Sequence, residues 1–202
     1  MGVHPHVSGN ADQIVLEQAA QLMDHEKVVA IGETGLDYNR NYSSKKEQLK
    51  VFEYHLELAK TFRKPLFLHQ RDAHPDFFPL LKRYRPHIIG GVVHCFTDND
   101  QALLDYLELD MHIGVTGWIC DERRGEELRK IVGKIPLNRL LIETDAPYLL
   151  PKTIKPKPKS RRNEPRYLGE IAKHIARHTS CEIEEITENS TRNAIALFNL
   201  LT

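Results

Sequence analysis

Residues Leu140-Leu141-Ile142-Glu143-Thr144-Asp145-Ala146-Pro147 form an apolar run of strand length that closes on acids and is stopped by a proline. A strand buried in a parallel sheet reads as such an unbroken apolar run. Pro147 can donate nothing to a sheet ladder and restrains the residue before it, so the strand is expected to stop near Asp145. A carboxylate is thereby delivered to the carboxyl end of a buried strand, where α/β proteins carry their chemistry. Three upstream segments end in the same way, and this repetition constrains the fold more than any other feature.

The upstream segments alternate in period. Ala11 to Asp24 reads as a helix, and Lys27 to Glu33 as a strand. Ser44 and Glu47 then form a capping box for a helix whose apolar residues Leu49, Phe52, Leu56, Ala59 and Phe62 step by three and four. Pro65 to His69 is the next strand, Ala73 to Arg83 a helix, and Gly90 to Phe96 a third strand. A helix from Asn99 to Leu109 and a weaker strand from Met111 to Thr116 follow. Gly125 falls in the next helical pattern, and the run at Leu140 is the fifth strand. After Pro151 the texture changes. Lys152 to Arg166 holds seven Lys or Arg residues, broken by Pro156, Pro158 and Pro165, so no helix forms there. Pro165 suits the first turn of a helix that buries Leu168, Ile171, Ala172 and Ile175. A last short helix is expected through Ala194, Ile195, Leu197 and Phe198.

Strands alternating with helices at this spacing imply βα units on a parallel sheet. A doubly wound sheet and a (β/α)8 TIM barrel both satisfy the pattern. Because several strand ends carry ligand-type residues, the barrel is favoured: it converges many strand ends on one centre, whereas a wound sheet binds at one switch point. With no internal repeat or flexible linker, residues 1–202 are expected to form a single barrel domain.

The 28 basic and 28 acidic residues cancel, so any hold on phosphate must come from a local patch rather than a global field. Cys95, Cys120 and Cys181 are odd in number and widely spaced, which fits neither a disulfide framework nor a zinc ribbon and points to a reducing cytoplasm. No apolar run approaches the ~20 residues needed to span a bilayer, so no membrane partner is expected, and no obligate protein partner is evident.

Glu33, His69, His94 and Asp145 each end or follow an apolar strand. Singly, each could cap a helix, pair with a lysine, stabilise a turn or sit satisfied in a core. Together they form a mixed imidazole and carboxylate set of the kind that suits zinc, manganese or magnesium-assisted hydrolysis. Two cations about 3.5–4 Å apart would clamp the attacking and leaving oxygens of a phosphodiester, and Glu33 is the natural bridge between them. The i, i+2 spacing of His4 and His6 mimics a His-x-His pair, but Pro5 argues against a central strand there. His6 is therefore read as a phosphate or leaving-group contact. In the basic stretch, Arg161 and Arg162 are candidates to grip phosphate oxygens. Asn163, Arg71 and Trp118 are further candidates beside them, Trp118 by stacking a base.

Five stretches resemble one known family, the TatD-type metal-dependent deoxyribonucleases. They are Gly2-Val3-His4-Pro5-His6, Ile31 to Tyr38 (Ile-Gly-Glu-Thr-Gly-Leu-Asp-Tyr), His94-Cys95-Phe96-Thr97, Glu143 to Tyr148 (Glu-Thr-Asp-Ala-Pro-Tyr) and Arg161-Arg162-Asn163-Glu164-Pro165. The resemblance runs along nearly the whole chain in order. It implies a metal-dependent hydrolase barrel that shortens single-stranded DNA ends from the 3′ side with Mg²⁺, RNA being a second substrate and Mn²⁺ or Zn²⁺ alternatives. It implies Glu33, His69 and His94 as ligands of two divalent cations, with Asp145 holding metal or deprotonating the attacking water. A closed barrel needs eight strands, whereas five are legible, so the barrel is expected to be N-terminally incomplete. An amidohydrolase of the same barrel type, opening a small cyclic amide or ester, is the alternative, weakened by the lack of a strand-end lysine suited to carboxylation. A relic whose site no longer assembles is the non-enzymatic one.

Overall fold

Apolar runs separated by amphipathic stretches build parallel strands and the helices that cover them. A computed structural model describes residues 1–200, which fall into two compact units. The first comprises Met1–His94, Glu108–Met111 and the residues from Ile195 onward; the second comprises Cys95–Leu107 and His112–Ala194.

In the first unit, the chain passes from a 3-10 turn at Pro5–Asn10 through helix α1 (Gln13–Gln21) to strand β1 (Ile31–Asp37). Helix α2 (Lys45–Phe62), strand β2 (Leu66–Arg71), helix α3 (His74–Tyr84) and strand β3 (Gly91–Val93) follow, and the three strands lie parallel in the order β1-β2-β3. The expected capping box begins α2. Glu47 Oε2 accepts from the Ser44 N–H at 2.8 Å, and Ser44 Oγ accepts from the Glu47 N–H at 3.3 Å. The buried side of α2 carries Val51, Phe52, Leu56 and Ala59, and Phe52 stacks on Phe77 of α3 with ring centroids 4.9 Å apart. His55 is buried among them and satisfied at both nitrogens: Nδ1 donates to the Val51 carbonyl, and Nε2 accepts from the Val3 N–H. Burial outweighs the Val51 contact and pushes its pKa down, so the ring is held neutral.

The pairing of β1 with β2 slips by one residue. Gly32 stands opposite Phe67 and Thr34 opposite Leu68, so Glu33 is the extra residue of a bulge. Bulges re-aim a side chain out of the regular alternation and recur beside active sites. The glycines flanking it permit a close backbone approach. A Cβ on Gly32 would lie 2.2 Å from the Phe67 carbonyl oxygen, and one on Gly35 would lie 1.9 Å from that of His69; both glycines have strongly positive φ.

In the second unit, helix α4 (Asp100–Glu108) leads to strand β4 (His112–Val115), and helix α5 (Glu126–Ile131) leads to strand β5 (Leu140–Ile142). β4 and β5 are parallel, Ile113 opposite Leu140. Helices α6 (Leu168–Ala176) and α7 (Ile183–Phe198) close the sequence of elements. Pro165 opens a 3-10 turn that runs into α6, as its fixed φ favours. Gly125 sits just ahead of α5 at its cap rather than within it.

Several boundaries differ from those expected. β1 starts at Ile31 and continues to Asp37, so Glu33 lies inside the strand, not at its end. The Lys64 ammonium donates to the carbonyls of Met23 and Val28, which holds Val28 and its neighbours as irregular chain. β2 likewise runs on to Arg71, leaving His69 within it. β3 stops at Val93, and two residues later Cys95 has φ 46°. β5 ends at Ile142, three residues short of Asp145, whose own φ of 55° cannot continue a strand. The last helix is much longer than the short one expected, because its buried face is partly polar. Ser190 Oγ accepts from the Ile142 N–H at 2.9 Å, and Asn193 Nδ2 donates to the carbonyls of Leu137 and Leu140 at 2.7 and 2.8 Å. α7 thus binds β5 through hydrogen bonds, which an apolar stripe does not reveal.

Truncating Phe52 to alanine should cost about 3–5 kcal/mol, and Ser44→Ala about 1 kcal/mol. Urea unfolding checks both; a Phe52→Ala cost no larger than that of the cap would contradict the packing of α2 on α3 through Phe52 and Phe77.

Candidate metal centre

Three imidazoles converge on one carboxylate oxygen in the first unit. Glu33 Oε1 lies 2.7 Å from His94 Nε2, 2.9 Å from His69 Nδ1 and 3.3 Å from His4 Nε2. The bulge in β1 turns Glu33 toward this point. β2 brings His69 opposite Gly35, and the His94 N–H donates to the Leu68 carbonyl at 2.9 Å, extending the β2–β3 ladder by one bond. His4 precedes the turn at Pro5–Asn10, and its Nδ1 accepts from the His6 N–H at 3.1 Å.

Asp37, at the end of β1, is the residue that the sequence reading left out of the site. It is 1% exposed. Its Oδ2 lies 2.7 Å from His6 Nε2 and 3.2 Å from His69 Nε2, while Oδ1 accepts from the backbone N–H groups of Asn39 and Arg40. One signal could have found it: Asp37 stands four residues after Glu33 in the same motif, Ile31 to Tyr38, and ending the strand at Glu33 left it outside.

Burial disfavours ionised Glu33, but the bonds from His4, His69 and His94 outweigh it and hold the carboxyl far below its usual range. Asp37 behaves alike: burial opposes its charge, and contacts from His69, Arg40 and His6 prevail. Burial pulls His69 down, yet the facing carboxylates Asp37 and Glu33 win and raise its pKa. The signs follow by linkage. The contribution of His69 to stability is complete below its ordinary value of 6.5 and is lost as pH rises through the raised one. Those of Glu33 and Asp37 are present above 4.5 and 3.8 and disappear as pH falls through their depressed values.

Two groups have ligand atoms close enough to hold a cation, Glu33–His69–His94 and His4–His6–His69, each with all atoms within 4.8 Å. They differ in donor type. The second is made of imidazoles alone, with the Nε2 atoms of His6 and His69 both facing Asp37. In the first group, one carboxylate oxygen and two imidazole nitrogens face a common point, a donor set suited to a divalent first-row metal or magnesium.

The remaining expected site residues lie in the second unit. Asp145 follows β5, and its carbonyl accepts from the Tyr148 N–H. Arg161 and Arg162 are exposed on the basic stretch. Asn163 differs from them, being 1% exposed. Its Nδ2 donates to the Thr144 carbonyl at 2.8 Å, and its Oδ1 accepts from the Glu164 N–H at 2.9 Å. This is a loop tie, not a side chain presented to a ligand. Asp121 secures the other end of the stretch. It is buried, accepts from the Arg123 and Arg124 N–H groups, and pairs with Lys152 and Arg124 at 2.7 Å each. Trp118 carries the Arg124 guanidinium 4.3 Å above its ring, and Arg71 closes β2 in the first unit.

Residues 1–199 match the family model described as TatD related DNase. The chain belongs to the TatD-related DNase family. The 3′-5′ ssDNA/RNA exonuclease TatD of Pectobacterium atrosepticum is 46% identical over 199 residues, covering 98% of this chain and 76% of the relative. The protein of the same name from Klebsiella pneumoniae is 47% identical with the same coverage. Two solved structures share the fold. YJJV, a TatD homolog from Escherichia coli K12, aligns with a TM-score of 0.87 at 30% identity, covering 100% of this chain and 76% of that one. A hydrolase TatD family protein from Entamoeba histolytica aligns at 0.85 and 30% identity, covering 96% and 72%. The TIM-barrel hydrolase fold expected from the strand ends is therefore that of this chain in part, as a parallel sheet of five strands among the described residues, and family membership makes it a metal-dependent nuclease. Among the described residues no helix is long and apolar enough to cross a membrane.

In the metal-free protein, replacing Glu33 by glutamine should lower the His69 titration, because one of the two carboxylates that raise it is gone. Histidine NMR against pH checks this; an unmoved His69 titration would remove Glu33 from the pair.

Proposed function

We propose that this chain removes nucleotides one at a time from the 3′ ends of single-stranded DNA, and of RNA, at a divalent-cation centre held by Glu33, His69 and His94. The observation that carries this reading is the convergence of two imidazoles with ligand-type nitrogens on the Glu33 carboxylate. Substrate and polarity come from the curated relatives, whose names state a 3′-5′ ssDNA/RNA exonuclease. Mg²⁺ is the proposed cation, and a second is proposed that would count Glu33 among the residues holding it. When bound, such cations polarise a phosphodiester and lower the pKa of a coordinated water.

The chain's own residues supply the rest. Glu33, His69 and His94 hold the centre. On the family motif around it, Asp145 is proposed to take the proton of the attacking water or to share in holding metal. His6, 31% exposed at its side chain and held by Asp37 through Nε2, is proposed to contact the phosphate or the leaving oxygen. Arg161 and Arg162 are proposed to grip backbone phosphates, and Asn163 to fix the loop that presents them.

The test is digestion of 3′-labelled and 5′-labelled single-stranded DNA with Mg²⁺. Early loss of the 3′ label is expected, and Glu33→Ala should abolish it along with saturable metal binding; retained turnover would exclude Glu33 from the centre. Arg162→Ala should weaken oligonucleotide binding and flatten its dependence on log salt by about 0.7 per lost phosphate contact. Identical salt slopes would refute the grip.

A further inference from the structure

Asp37 is placed as few carboxylates are. Its backbone is clamped by buried Gln48, whose Oε1 accepts from the Asp37 N–H at 2.8 Å and whose Nε2 donates to the Asp37 carbonyl at 3.1 Å. Gln48 Nε2 also reaches the Ser43 carbonyl. The Asp37 side chain is fixed through Oδ1 by two backbone N–H groups. Oδ2 is left facing two imidazoles and is shielded from water. An oxygen held this rigidly selects the orientation of the rings that bond to it.

The two nitrogens of His69 face different partners. Nδ1 points to Glu33 Oε1, the oxygen that His94 also meets, and Nε2 points to Asp37. A neutral ring that donates its one proton from Nε2 offers its lone pair at Nδ1. A histidine ligand whose other nitrogen bonds to a carboxylate is fixed in tautomer and orientation and is a stronger base.

We infer that Asp37 is the positioning residue of the metal centre: it grips His69 by Nε2, commits Nδ1 to the cation, and through the same oxygen fastens His6 in the turn at Pro5–Asn10. The inference rests on the proposed ligand set and adds to it the group that makes His69 a ligand through one particular atom. It also assigns His6 its anchor. Asp37 itself touches neither metal nor substrate in this arrangement and acts through the two rings.

Calorimetric titration with Mn²⁺ alone tests the effect on affinity. Asp37→Asn retains an oxygen for the Asn39 and Arg40 N–H groups but loses the anionic acceptor, and should weaken Mn²⁺ binding about 10–100-fold. Glu47→Gln, which removes a carboxylate of the α2 cap that bonds none of these rings, should leave Mn²⁺ affinity unchanged. Equal losses in the two variants, or none in Asp37→Asn, would overturn the inference. Should Asp37→Asn fail to fold, the unsubstituted protein decides. With diamagnetic Zn²⁺ bound, nitrogen NMR of His69 should show the proton on Nε2 and the metal on Nδ1. The reverse assignment would overturn the inference. A chain that meets both expectations yet digests no nucleic acid would refute the nuclease reading and leave the role of Asp37 standing.

Discussion

The parallel pairing of β1 with β2 slips at Glu33, and the candidate centre depends on that slip. A regular ladder would send residues 32 to 37 alternately to either side, each opposite one residue of β2. The extra residue turns Glu33 toward His69 and His94 while Thr34 and Leu36 stay buried. Gly32 and Gly35 allow the slip, since a side chain at either would drive into a carbonyl of β2. Those two glycines therefore belong to the site as much as the charged residues do, although neither bears a functional group.

The electrostatics follow from that arrangement. Four imidazoles and two carboxylates are gathered in a partly buried space, where unpaired charge is costly. Each carboxylate is met by more than one imidazole, and His69 lies between Glu33 and Asp37. Such a cluster is self-satisfying without metal, yet on its Glu33 side it presents nitrogen and oxygen atoms toward one point. Proton and cation therefore compete for the same His69 nitrogen, as is general for metal sites built from histidine.

The second unit shows a different economy. From Lys152 to Asn163 the basic stretch has no regular secondary structure, yet both ends are tied to buried polar groups, Lys152 to Asp121 and Asn163 to the Thr144 carbonyl. Cations flanked by prolines and anchored at two ends have less freedom to lose on meeting any ligand than those of a free tail. Asn163 looked like a ligand because it stands beside two arginines in the motif. Its burial shows a residue that shapes the loop.

Much was legible from local pattern, because amphipathic period, capping chemistry and apolar runs are short-range properties. The βα alternation, the capping box at Ser44, the first turn at Pro165 and the gathering of Glu33, His69 and His94 were all visible in the residues themselves. The family followed from five ordered motifs. What the sequence alone did not show lies in contacts between residues far apart in the chain. The bulge at Glu33 is a relation between β1 and β2, and the role of Asp37 depends on rings 31 and 32 positions away. The polar face of α7 exists because Ser190 and Asn193 satisfy the backbone of β5 from about fifty residues away. Sequence by itself determined which residues could bind metal and which segments could form strands, since these depend on side-chain chemistry and local period. Tertiary structure alone decided which atom of each residue faces which partner, because register and hydrogen-bond direction are set only when distant segments meet.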